Sequence, residues 1–461
     1  MTVPRSYLAD LAWLPAETAA DVAIDVADGR FTRVEPGGAP TPGAQRLRGL
    51  VLPGAANAHS HAFHRALRGR THRGHGTFWT WREAMYRVAA TLDPDAYHAL
   101  ARAVFAEMAL AGFTSVGEFH YLHHDPDGRP YADDNGMGEA LIAAAREAGV
   151  RIALLDTCYL AGGIGRPVEG VQRRFSDVEV ARWADRVDAL HAAHAGQDGV
   201  VVGAAVHSVR AVPAEAIGVV AAWAEERAAP LHVHVSEQPA ENEACRAAYG
   251  RTPTQLLADR GAIGPRTTAV HATHLAGEDL TLLGDATAFA CLCPTTERDL
   301  ADGIGPADRL LEAGARLTLG TDSHAVVDPF EEARAVELDL RLATLERGNL
   351  RVATLLDALS AEGQTSLGFP DAGRLTPGAR ADLVAVDLAS VRTAGADPGH
   401  AAATVLFAAS AVDVTDVVVD GRHVVRDRQH DLGDVGALLV DRIGRVHGPP
   451  PGRTDGLEDG R

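Results

Sequence analysis

The 461-residue sequence predicts an α/β chain: a (β/α)8 TIM-like barrel beside a small β domain built from both terminal segments. Three observations predict it. From Val51 to about residue 375, short apolar runs alternate with Ala-rich amphipathic stretches through eight strand–helix units. Before and after that region the chain reads as short strands separated by Gly and Pro turns. Within it, histidines and acids recur at the C-terminal ends of the apolar runs, where a parallel barrel opens its mouth.

The elements follow in order. Residues 4–50 read as alternating strands, as in Asp21-Val-Ala-Ile-Asp-Val-Ala-Asp-Gly29, and offer no chemistry. Barrel strands are expected at 51–57, 113–118, 151–156, 200–206, 230–235, 268–273, 288–293 and 316–321. Helices are expected over 95–111, 135–148 and 214–228, the last behind Pro213. A doubly wound sheet is the other arrangement for such a pattern, but no Gly-x-Gly-x-x-Gly follows the first strand. The expected division is a β domain from 1–50 and 376–446, a barrel over 51–375, and a disordered Pro- and Gly-rich tail over 447–461.

Composition removes several function classes. A net charge of −19 argues against nucleic acid as a partner. The sequence contains no lysine, its 43 basic residues all being arginine. Schiff-base chemistry, the phosphate-loop lysine and a metal bridge made of modified lysine are thereby excluded. The four cysteines form no disulfide framework, and Cys291-Leu-Cys293 reads as buried packing in an apolar strand. Without an apolar run of membrane-spanning length or a signal-peptide pattern, no membrane partner and a cytoplasmic location are expected.

The chemistry begins at His59-Ser-His61. Residues two apart on a strand face the same way, so both imidazoles can meet one metal ion. Later strand ends carry Glu118 and His120-Tyr121, His207 with Arg210, His232 and His234 with Glu237, His271 and His274, and Asp322 with His324. So many titratable groups converging on one mouth would be costly as mere packing. They predict a single metal-centred site.

These motifs carry a resemblance. Pro-Gly-x-x-Asn-x-His-x-His, then His-x-Ser-Glu, a histidine on strand six and Gly-Thr-Asp-Ser on strand eight resemble the amidohydrolase superfamily. Within it, the 77–86 and 117–124 stretches, His-Ser-x-Arg at 207–210 and Cys-Pro-Thr-Thr-Glu at 293–297 are similar to the formimidoylglutamate deiminases of histidine degradation. The resemblance covers about 50 to 375. It implies His59, His61, His234 and Asp322 as ligands of one divalent metal, zinc or alternatively iron. His271 and Asp322 become proton acceptors beside the attacking water, and Glu237 the proton shuttle. Arg82, Tyr121, His207 and Arg210 are implied as contacts to a small anionic substrate, with His64 where the family carries glutamine. The implied reaction converts N-formimino-L-glutamate to N-formyl-L-glutamate and ammonia, and relatives suggest a homodimer.

Other readings stay open at this point. A deaminase of another amidine or of an aromatic base would share every metal residue, and a non-catalytic scaffold would be expected to lose some of them. Arginines fit a dianion through bidentate carboxylate binding better than a neutral base. Glu118 is the available substitute for a lysine bridge. His232 and His274 read as packed or structural, and His72, His75, His123, His124 and His324 as solvated loop residues. Trp79 and Trp81 read equally as lid or core.

Overall fold

The computed structural model describes residues 5–15, 17–72, 76 and 78–448, with backbone alone for Phe78 and Trp79. It contains two eight-stranded sheets. His75, the Trp79 side chain and residues 449–461 lie outside the described residues.

One sheet is parallel and runs in chain order through Ala55–Ser60, Phe113–His120, Arg151–Cys158, Val200–Val206, Leu231–Val235, Thr267–His271, Phe289–Leu292 and Arg316–Leu319. It curls into a nearly closed barrel. The first and last strands meet at the mouth, where the Asp322 N–H donates to the His59 carbonyl (3.0 Å) and the His61 N–H to the Asp322 carbonyl (3.1 Å). Gly320 permits that approach, since a Cβ there would lie 2.7 Å from the His59 carbonyl oxygen.

The helices follow from local signals. Pro94–Ala111 starts behind Asp93, whose side chain accepts from the Ala96 N–H, and stops at Gly112 with φ +105°. Its small residues let it lie close against the barrel, with Leu100, Val104, Phe105 and Met108 buried.

The second sheet is mixed. Its order is Gln429–His430, Arg422–Arg426, Val414–Val419, Leu383–Val386, Gln45–Pro53, Arg5–Leu14, Glu17–Ala27 and Arg30–Pro36. The two ends of the chain join where Gln45–Pro53 pairs antiparallel with Leu383–Val386. Asp28-Gly29 and Asp420-Gly421 turn two of its hairpins, each with positive φ at both positions. Arg151 ties this sheet to the barrel rim opposite the mouth, its guanidinium buried against Asp382, Asp420 and Gln364.

Two expectations change here. The apolar run from Val51 divides at Gly54: Leu50–Pro53 ends a strand of the mixed sheet, and the barrel strand is Ala55–Ser60. The C-terminal part does not end in strands, because Val435–His447 forms a helix capped by Asp434 that reaches the barrel, with His447 Nε2 donating to the Ala66 carbonyl (2.8 Å).

Candidate active site

The mouth gathers its donors from three strand ends, those of Ala55–Ser60, Leu231–Val235 and Arg316–Leu319. His59 Nε2 and His61 Nε2 lie 3.4 Å and 3.3 Å from Asp322 Oδ1, and His234 Nε2 lies 3.1 Å from His59 Nε2. Hydrogen bonds on the far side of two rings set their direction. His61 Nδ1 donates to the Phe119 carbonyl and His234 Nδ1 to the His207 carbonyl, each at 2.9 Å, so both turn Nε2 lone pairs toward the same point. Burial pushes the His61 imidazole down to about 3 and those of His59 and His234 well below their ordinary value. Neutral imidazoles with converging lone pairs and one carboxylate oxygen make a donor set that fits a divalent metal.

The backbone is strained at this rim. Ser236, His271, Ala272, Asp322 and His324 all have φ between +42° and +67°. Left-handed conformations at residues other than glycine cost about 1–3 kcal/mol each and cluster at functional sites.

Around the donor set lies a cavity of about 400 Å³. His61, His64, Arg82, Tyr121, His207, Arg210, His234, Glu237, His271 and Asp322 line it, while His59 is fully buried behind. Glu237 stands between two neighbours: Oε2 accepts from Arg210 Nη2 (3.2 Å), and Oε1 is 3.8 Å from His271 Nε2. His271 Nε2 is also 3.9 Å from Asp322 Oδ2. Burial alone would lower the His271 pKa, but the hydrogen bond to Glu297 and the charges of Glu237 and Asp322 outweigh it and raise it. His64 Nε2 meets the Tyr121 hydroxyl at 2.7 Å, with the Trp81 ring edge-on 5.0 Å away. Trp81 is therefore buried beside the cavity wall.

Glu118 stands apart from the donor set. Its Oε2 accepts from the Ser60 hydroxyl (2.6 Å) and its Oε1 from the Ala62 N–H (2.7 Å). Burial pushes its carboxyl up to about 8, against the lowering effect of those hydrogen bonds. Both oxygens are thus engaged in joining the first two barrel strands.

Several histidines expected in solvent are buried. His324 Nε2 pairs with the Ser60 hydroxyl (3.0 Å), His123 Nε2 donates to the Thr157 carbonyl (2.9 Å), and His124 Nε2 lies 3.1 Å from Asp177 Oδ1. The loops that carry them fold inward because those partners satisfy the rings. His72 is exposed, 3.4 Å from Asp299. His232 is packed with Nε2 toward the Ser366 carbonyl, and His274 holds the Asp302 carbonyl at 2.7 Å.

Three residues of the site were missed in the sequence. Glu241, buried in the cavity wall, has Oε1 3.7 Å from Arg210 Nε. Burial pushes its carboxyl up to about 7; Arg210 pulls the other way and Glu237 adds to the rise. Its signal was its place one helical turn beyond Glu237 at the start of Pro239–Tyr249. Arg166, on the loop Gly162–Arg166, also lines the cavity. Glu297, under His271, lay inside a motif already recognised but given no role.

The chain is similar to known proteins. The amidohydrolase family model matches residues 50–424. The formimidoylglutamate deiminase of Pseudomonas aeruginosa is 39% identical over 92% of this chain and 95% of its own length. The 8-oxoguanine deaminase of the same organism is 30% identical over 85% of this chain and 86% of its own. The crystal structure of an amidohydrolase from Brucella melitensis superposes with a TM-score of 0.90 at 34% identity, covering 96% of this chain and all of that one. With its strand-end histidines and aspartate converging in a parallel barrel, the chain belongs to the amidohydrolase family.

Proposed function

We propose that the protein is a formimidoylglutamate deiminase, hydrolysing N-formimino-L-glutamate to N-formyl-L-glutamate and ammonia in histidine degradation. The observation that carries this reading is the placing of Arg82 and Arg210 around a cavity that opens onto the His/Asp donor set. In a chain of net charge −19, cationic walls here favour a substrate bearing carboxylates. The 39% identity to the Pseudomonas aeruginosa deiminase supports the same choice.

His59, His61, His234 and Asp322 would hold one divalent metal, zinc or alternatively iron. When bound, the metal supplies Lewis acidity that makes water a source of hydroxide near neutral pH. The residues of the chain divide the remaining work. Asp322 offers Oδ1 to the donor set and keeps Oδ2, on the His271 side, to orient the attacking water and take its proton. His271 Nε2 stands beside both acids to stabilise charge developing on the oxygen. Glu237 passes a proton to the terminal nitrogen of the amidine, so that ammonia rather than an amide anion leaves. Arg82 and Arg210, with Tyr121, His207 and His64, hold the carboxylates.

Arg210 tests the reading. A carboxylate contact kept through the reaction is uniform binding, and its loss moves KM alone. Because Arg210 also donates to Glu237, Arg210→Met is expected to raise KM for N-formimino-L-glutamate by about 10–100-fold, the worth of a charge-assisted hydrogen bond, and to lower kcat as well. In the same steady-state assay His64→Gln, restoring an amide beside Tyr121, is expected to keep or improve activity. Unchanged KM in Arg210→Met, or collapse in His64→Gln, contradicts this assignment of the pocket.

A further inference from the structure

The Cys-Pro-Thr-Thr-Glu stretch at 293–297 takes no part in the reaction as described, yet it packs directly under the site. Cys293 ends the run after Phe289–Leu292 and caps the short helix Pro294–Leu300. The chain turns there so that Glu297 points back: its Oε1 accepts from the Cys293 N–H (2.8 Å) and faces His271 Nδ1 at 3.3 Å. Both side chains are buried, His271 at 1% and Glu297 at 6% exposure. The opposite nitrogen of the ring, Nε2, faces the cavity between Glu237 and Asp322.

Two properties of His271 make its orientation a matter for a neighbour. It stands in a left-handed backbone conformation, φ +67°, followed by Ala272 at +50°, where the strand ends abruptly. Its ring can also turn about the Cβ–Cγ bond, and a hydrogen bond made by one nitrogen decides where the other points. An ionised carboxylate can only accept, so facing Nδ1 it takes the hydrogen there and holds the ring in that orientation. We infer that Glu297 is a positioning residue: it holds the Nδ1–H of His271, and so fixes Nε2 as the nitrogen offered to the reacting atoms between Asp322 and Glu237.

His271, Cys293 and Glu297 also lie close enough to hold a metal ion. The arrangement is better satisfied by protons, because burial holds the Cys293 thiol well above its ordinary value and a metal would take the thiolate. A hydrogen bond, and no metal, therefore joins His271 to Glu297.

The kinetic part of the test rests on the deiminase reading; the spectroscopic part does not. Glu297→Gln, His271→Asn and the double variant are compared with wild type for kcat and KM on N-formimino-L-glutamate, metal content and thermal stability. Glu297→Gln is expected to lower kcat by about 10–100-fold, the usual effect of removing a partner that orients a site histidine. KM should change less than about threefold, as for loss of transition-state interactions alone, with metal content retained. In the His271→Asn background the same substitution should cost nothing further, because it acts through that ring. With 15N-labelled histidine, the His271 ring signals, identified by their loss in His271→Asn, should report a hydrogen-bonded Nδ1–H in wild type and shift at Nδ1 in Glu297→Gln. Glu297→Asp, which keeps the charge but shortens the reach, serves the spectroscopic comparison if the glutamine variant does not fold. Undiminished kcat in Glu297→Gln beside an active wild type, an equal loss in the His271→Asn background, loss of metal, or unaltered ring signals overturns the proposal. A wild type inactive on this substrate counts against the deiminase reading instead, and the ring signals then decide Glu297 alone.

Discussion

Glu237→Gln is expected to retain its metal and to lose about 10²–10⁴-fold in turnover, the usual worth of a positioned acid–base group. The carboxylate lies in the loop after Leu231–Val235, with one oxygen on Arg210 and the other toward His271, and it is outside the cluster formed by His59, His61, His234 and Asp322. Glutamine keeps the shape and one acceptor but cannot carry a proton between water and nitrogen. Elemental analysis and ammonia release on the same preparation check both halves. Turnover near the wild-type rate, or a variant purified without metal, rules out the role given to Glu237.

Removing the metal should have an equally large effect. Chelation is expected to abolish turnover, and readdition of zinc to restore it. Elemental analysis of untreated protein is expected to give about one tightly held metal per chain, as a site of three imidazoles and one carboxylate implies. A second ion would need a bridging group; the sequence has no lysine to modify, and both oxygens of Glu118 are taken up by Ser60 and Ala62. Two tightly held metals per chain, or full activity after chelation, contradicts this.

The barrel was legible because its strands are apolar and evenly interrupted, a pattern that needs no knowledge of partners. His59-Ser-His61 was legible for a similar reason: strand alternation alone aims both rings at one side. The limits lay where tertiary pairing decides. Gly54 divides one apolar run between two sheets, and only the antiparallel pairing of Leu50–Pro53 with Leu383–Val386 reveals it. His123, His124 and His324 looked like loop residues, yet Thr157, Asp177 and Ser60, all distant in sequence, bury them. Glu241 and Glu297 were passed over because each sits in the first turn of a helix, where an acid is unremarkable, and their roles depend on Arg210 and His271 arriving from other strands.

The most direct measurement is ammonia release from N-formimino-L-glutamate beside guanine and cytosine, compared as kcat/KM on metal-loaded enzyme. A pocket with Arg82 and Arg210 in its walls should favour carboxylates over neutral bases, so N-formimino-L-glutamate is predicted to be favoured on the order of 10⁴-fold, with N-formyl-L-glutamate as the other product. Ammonia from a base together with none from N-formimino-L-glutamate would contradict the account.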